Sequence, residues 1–418
     1  MTRWRTAIII AAVLIAVLMS GAWPAFSQEY ETPVTSRAEN VLPKKLLSGA
    51  DYRIDDIVAS DGYLYAYLLH SRFGDFKVMS TALLYTRLTE IKAMAAMEQV
   101  SSASQFGGAL ADKGAQTVQG AANLLVHPVD TVGGALSGVG KMFARAQESL
   151  VESNPSKYED SRFKKVIGYS QTKRDYAKQF GVDPYSTNAV LQERLDNLAS
   201  AGYAGSITGS ALQALIPGGV GAVIGGISGS AVLGEIDVSL PPEDLRRQNR
   251  QALLDMGISS SVARLFIDND VFTPTQQTII VQALRSMPKC QGKESFVSFL
   301  VNTDNQDLAL FRQRMIQMYA GYNQTVAPVS GFMPLGRFIG VMKDDGTLVL
   351  AFPLDNLVWT STNAVIVDAI NDSAKSLPAA RVEIWLTGKA SPMTKKQLKR
   401  LGWKLNEMSA PKLLGVNY

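Results

Sequence analysis

Two histidines, His70 and His127, and one cysteine, Cys290, are the chain's whole stock of the side chains that most readily ligate metals or transfer protons near neutral pH. A zinc site takes three or four closely spaced ligands, and two distant histidines with one cysteine do not supply them. A Ser-His-Asp relay could recruit either histidine, but no GxSxG elbow presents a serine. His70 falls in an aromatic, strand-like stretch and His127 just before Pro128, so both read as hydrogen-bonded structural residues. Two glycine loops approach a phosphate-binding pattern and miss it. Before Gly140-Lys141, Ala135 stands where the first glycine belongs, and Met142 replaces the Ser/Thr that would hold magnesium. Gly219, Gly221 and Gly225 space loosely like a dinucleotide loop but follow Pro217, not a strand. Asp268-Asn269-Asp270 opens like a calcium loop, yet positions six and twelve are Thr273 and Ile279, not glycine and glutamate. The acidic pairs Asp55-Asp56 and Asp344-Asp345 sit in turns, as solvated acids do. No catalytic residue, cofactor or metal site is assigned.

The elements around these residues begin with an address. Arg3 and Arg5 precede an apolar run from Ala7 to Met19, followed by small residues and Pro24. Ala25 and Ser27 suit signal-peptidase subsites, so residues 1–27 read as a leader cleaved before Gln28. The run is shorter than the ~20 residues of a spanning helix. Removing Arg3 and Arg5 takes the formal charge of +4 down by two, which gives no electrostatic case for nucleic acid. A single cysteine excludes an internal disulfide, so packing alone must hold the fold. With 418 residues, 46% hydrophobic and only 19% charged, the chain has length for two or three real cores.

The pattern predicts an α+β chain in four parts after the leader. In 28–100, Tyr63, Tyr65, Tyr67 and Leu69 alternate with Leu64, Ala66, Leu68 and His70, then Phe73-Gly74-Asp75 turns, a β-hairpin. Ser80 caps a helix with Leu84, Leu88, Ile91, Met94 and Ala95 along one stripe. Residues 101–240 form a glycine-rich helical region of two hairpins, broken at Pro128 and Pro217. Residues 241–330, opened by Pro241-Pro242, read as a compact helical set, with Thr273-Pro274 starting one helix. Residues 331–418 read as a small ββαβαβ domain, half open to solvent: a hairpin turning at Asp344-Asp345-Gly346, a helix, the strand RVEIWLT, a helix capped by Ser391, and a last strand after Gly402. The last two strands are expected parallel. Ligands of such strands bind at their carboxyl ends, here near Thr387, Gly388 and Lys389.

The most specific stretch is 197–234, which has no charged side chain and many glycines. Gly221, Gly225 and Gly229 at four-residue spacing share one helix face, as do Gly205 and Gly209, and such faces let backbones approach closely. Each glycine costs a helix roughly 1 kcal/mol relative to alanine, so close packing or lipid must offset the cost. The run resembles, in general terms, the glycine-zipper helices of membrane-active proteins. Just upstream, Lys164, Lys165, Lys173 and Arg174 belong to a basic cluster that could meet anionic headgroups or form a solvated face. The expectation is an exported, periplasmic or membrane-associated envelope protein without enzymatic activity, binding membrane lipid, an envelope protein or a second copy of itself through its glycine faces. The alternative is a soluble periplasmic enzyme or protein-binding module acting through the C-terminal α/β unit.

Overall fold

The computed structural model describes residues 30–104, 139–140, 143, 167–203, 237–377 and 381–416. The chain is α+β, as its patterning implies. β1 (Ser36–Arg37), β2 (Ser48–Gly49), β3 (Tyr52–Ile54), β4 (Ile57–Ser60), β5 (Tyr65–Ser71) and β6 (Gly74–Met79) make an antiparallel sheet, with the short helix α1 (Ala38–Val41) after β1. Strand β5 is its spine: β6 runs along one edge, while β3 and β4 share the other. Tyr67 and Leu69 point into the core at 1% and 0% exposure, as the period of two requires. The turn comes one residue earlier than expected, because Gly74 at φ +116° and Asp75 already pair with Ser71 and His70.

α2 (Thr81–Ser104) lays Leu84, Leu88, Ile91 and Met94 onto this sheet. Ser80 caps it, accepting the Leu83 N–H at 3.1 Å. α3 (Ile167–Gln179) and α4 (Ala189–Tyr203) complete the same core. Gly181 at φ +67° ends α3, and Asn188 caps α4 by accepting the Val190 N–H.

A second core follows. Five helices, α5 (Pro242–Asp255), α6 (Ser260–Ile267), α7 (Pro274–Arg285), α8 (Lys293–Val301) and α9 (Gln306–Thr325), precede β7 (Gly331–Leu335), β8 (Phe338–Met342) and β9 (Thr347–Phe352). Thr273 and Gln276 close a capping box on α7. Then come β10 (Asn356–Leu357), α10 (Ser361–Ser376), β11 (Arg381–Leu386), β12 (Lys389–Ala390), α11 (Pro392–Arg400), β13 (Lys404–Asn406) and α12 (Ala410–Leu414). The main sheet runs β13-β11-β9-β8-β7, with β9, β11 and β13 mutually parallel and β7-β8-β9 an antiparallel meander. The expected ββαβαβ unit thus gains an edge strand, β7.

This sheet is not half open. Every residue of β8 and β9 is buried. Ile384 faces α10, whereas its neighbour Trp385 meets Tyr322 of α9 edge-on at 5.4 Å. Helices α10 and α11 therefore cover one face, and α9 with α12 the other. The continuous apolar runs FIGVM and TLVLAF are what strands covered on both faces look like.

The 330/331 boundary consequently runs through one core. Tyr319 of α9 donates its hydroxyl to the Ile339 carbonyl at 2.8 Å and accepts the Ala351 N–H at 3.3 Å. A fragment of residues 331–418 would expose that face, and it is expected to remain unfolded, with red-shifted tryptophan emission in buffer. Blue-shifted emission that reddens cooperatively in urea would restore the boundary.

Candidate functional site

The parallel strands deliver Phe352 and Leu386 at their carboxyl ends, the place where such sheets bind ligands. Here the chain itself fills that place. The Asp355 and Asn356 N–H groups both donate to the Tyr63 carbonyl, and the Asp355 carboxylate accepts the Tyr65 N–H at 3.0 Å and the Thr81 N–H at 2.9 Å. Thr81 opens α2, so the carboxylate also sits at a helix N-terminus, where negative charge is favoured. Burial nevertheless pushes the Asp355 pKa up to about 6. Ser80 before it holds φ +93°, a strained conformation for a non-glycine residue. Thr387 and Gly388 donate to the Leu354 carbonyl, and Lys389 is exposed with its N–H on the Asp355 carbonyl. Thr387 and Gly388 thus serve the backbone at this crossing.

Next to these strand ends an apolar cavity lies between α10 and the sheet, walled by Phe352, Ile366, Ile370, Ile384 and Trp359. Phe143 closes it, stacked on Tyr63 at 4.4 Å between ring centroids and packed against Phe338 and Phe352. Two further clasps hold the N-terminal part here. Glu31 accepts the Trp359 N–H at 2.9 Å and the Ser391 hydroxyl, and Tyr63 donates its hydroxyl to Asn363 at 2.6 Å. On the other side, Asp183 accepts the Thr275 hydroxyl and the Tyr185 N–H, and burial pushes its pKa to about 6 as well.

His70 is flanked on both ring nitrogens: Asp55 lies 3.0 Å from Nε2 and Asp75 2.9 Å from Nδ1. Both ring nitrogens are thus taken up by side chains of the same sheet region, and the ring ties β5 to its neighbours. His127 lies outside the described residues. Cys290 is buried, and burial raises its thiol pKa to about 11, far from a reactive thiolate. Asn269 holds a loop together, donating to the Val301 and Thr303 carbonyls, and Asp268 pairs with Arg264. Among the described residues no group of three or more His, Cys, Asp or Glu side chains could hold a metal ion.

The basic cluster resolves into tethers where it is described. Lys173 pairs with Asp196 at 2.9 Å. Arg174 is buried at 6% exposure and donates Nε to the Ser239 carbonyl at 2.7 Å. The Arg174 guanidinium, proposed from the sequence for headgroup contact, is thus engaged inside the fold with Ser239 and Gln171. Lys164 and Lys165 lie outside the described residues, as do Gly205, Gly209, Gly221, Gly225 and Gly229. The first six residues of the uncharged run after Asn197 are described and belong to α4, with Leu198 and Ala199 fully inside the N-terminal core. At Gly202 a β-carbon would stand 1.9 Å from the Tyr176 hydroxyl, so glycine there does permit a tight α3–α4 approach. The described residues that flank 204–236 thus meet one helix: Gly202 packs on Tyr176 of α3, and Arg174 of α3 holds Ser239.

None of Asp355, Trp359, Glu31 and Phe143 is read from the sequence as a site residue; Phe143 belongs to an apolar stripe with Val132, Leu136 and Val139, and Trp359 is one of three C-terminal tryptophans. The one local signal was an acid directly after a fully apolar strand, in FPLDN, where a solvated turn would be the ordinary reading. Comparison with protein-family models, curated proteins and solved structures finds no match for this chain.

Proposed function

We propose that the chain is an exported cell-envelope protein that acts by association, inserting or apposing its glycine-rich stretch to a membrane or to an envelope partner. The observation that carries this reading is the uncharged run 197–234, a composition that a solvated segment has no reason to maintain. Its stems support the reading. α3 meets both the end of α4 and Ser239, so the described residues that flank 204–236 lie beside one helix. No helix among the described residues is long and apolar enough to cross a membrane.

The test is fractionation of cells expressing the full chain, followed by a carbonate wash and intact mass. The expected result is a form beginning at Gln28 that stays with membranes through carbonate. Deleting 205–234 and joining the stems with a short Gly/Ser linker should release it while the body remains folded. A fully soluble wild-type form, or a deletion variant retained as firmly as wild type, refutes the proposal.

A further inference from the structure

The positive charge of this chain is concentrated in its last strands and helices. Residues 381–418 hold eight of the 41 Lys and Arg but only two of the 37 Asp and Glu, a surplus of six cations against +4 for the whole chain. Everything before Arg381 is therefore acidic on balance. Half of the eight cations stand on one helix. In α11, Thr394 and Leu398 are buried, and past Pro392 every exposed residue is a cation: Lys395, Lys396, Lys399 and Arg400. At about 100° per residue these four fill one continuous arc opposite Thr394 and Leu398.

Such a face weakens its own helix. Lys395 with Lys399 and Lys396 with Arg400 are like charges four residues apart, and only the last two lie where the helix dipole favours cations. Compensation within the fold is thin. Lys395 pairs with Glu407 at 2.9 Å and Arg400 donates to Gln397, while among the described residues Lys396 and Lys399 meet no carboxylate. Glu407 also accepts the Ala390 N–H, which brings β12 and its exposed Lys389 beside α11. Met408 follows directly, 51% exposed and held at φ +50°, a strained conformation for a non-glycine residue. An exposed apolar side chain thus stands next to the bridge that joins Lys395 to β12.

We propose that the solvent face of α11, with Lys389 and Met408 at its rim, docks on an anionic lipid surface, the cations meeting headgroups and Met408 entering the acyl boundary. Three of the four α11 cations are lysines, point charges that suit a field of headgroups, whereas gripping a single phosphate favours the guanidinium fork. Nucleic acid bound as a single strand would call for an aromatic platform, and Trp359, Trp385 and Trp403 are all buried. A bilayer accepts clustered cations and a protruding apolar side chain together. This contact belongs to the body, adds to that of the glycine-rich stretch, and rests on the reading that the chain works at a membrane.

Co-sedimentation of the chain from Gln28 with vesicles makes the test. Affinity for equal parts phosphatidylcholine and phosphatidylglycerol should exceed that for phosphatidylcholine alone at least a hundredfold, and about 0.5 M NaCl should remove the difference. A cation near an anionic surface contributes about fivefold in affinity, so the triple variant Lys396→Gln, Lys399→Gln, Arg400→Gln should lose about a hundredfold. The same charge removed from other exposed positions, by Arg246→Gln, Arg250→Gln and Arg285→Gln, should change binding less than threefold. Met408→Gly, which suits the positive φ, should keep the fold and weaken binding at least threefold. Affinity within twofold of wild type after the triple change or after Met408→Gly overturns the proposal, as does a DNA duplex that binds more tightly than the anionic vesicles at the same salt. Equal, firm binding to both vesicles overturns it and leaves the glycine-rich stretch as the membrane contact, whereas binding to neither vesicle removes both.

Discussion

Gly321→Ala is expected to be among the most damaging single changes in the chain. Gly321 lies in α9 where α12 crosses, and a β-carbon built on it would stand 1.7 Å from the Leu413 carbonyl oxygen and 2.6 Å from its carbon. The obstacle is backbone, so no rotamer can relieve it. Either α9 and α12 separate or α12 shifts along the helix. Separation breaks the packing of Leu413 and Leu414, both fully buried, and strips Trp385 of its cover. Overpacking commonly costs about 1–3 kcal/mol, and a backbone clash between two buried elements belongs at or above the upper end. Alanine's better helix propensity returns only about 1 kcal/mol. Urea denaturation should show a lower midpoint with an unchanged slope. A midpoint within error of wild type would mean that α12 does not cross α9 at this residue. Gly388 is held in the same way, 2.0 Å from the Asp355 carbonyl oxygen, and serves as a second position for the measurement.

Asp355 should show two opposite effects, separated by pH. Its carboxyl titrates near 6 in the fold, against 3.8 unfolded, so the native state binds the proton more tightly. Stability from this group is complete below about 3.8 and is lost as pH rises through 6. The buried charge then costs on the order of 3 kcal/mol above both values. Asp183 works in the same direction, while Asp61, Tyr65 and Tyr67 are charged or titratable neighbours of Asp355. At pH 5, Asp355→Ala leaves the Tyr65 and Thr81 N–H groups without acceptors, each a loss of about 1–3 kcal/mol. Asp355→Asn retains an oxygen acceptor and removes the charge. It should be near neutral at pH 5, more stable than wild type at pH 8, and should flatten the decline in stability between them, leaving the share due to Asp183. An Asn variant that declines as steeply as wild type would show that Asp355 is not a source of that dependence.

Local chemistry was enough to place most elements. The alternation around Tyr67 and Leu69, the stripe of α2, the caps Ser80, Thr273 and Ser391, and the stops at Gly181 and Gly402 all depend on contacts within a few residues. The parallel pairing of the last two strands also follows locally, because a helix-length connection between adjacent strands allows little else. The edge strand β7 was missed because GFMPL contains a proline and lacks alternation, and only β8 beside it makes it a strand.

What tertiary structure decided concerns groups whose partners are hundreds of positions away. Asp355 reads as one more turn acid until Tyr65 and Thr81 arrive at its carboxylate, and Arg174 reads as one cation in a basic cluster until the Ser239 carbonyl claims it. The packing across 330/331 is a matter of the same kind. A period of two or 3.6 shows that an element has an apolar face, but not which element will cover it. FIGVM and TLVLAF announced burial on both faces without naming α9 as the second cover. Phe143, one aromatic among many glycines, gained a meaning only when Tyr63, Phe338 and Phe352 closed around it. Periodicity is a property of neighbours along the chain, whereas a buried charge, a crossing glycine and a cavity wall are set by which distant surfaces meet.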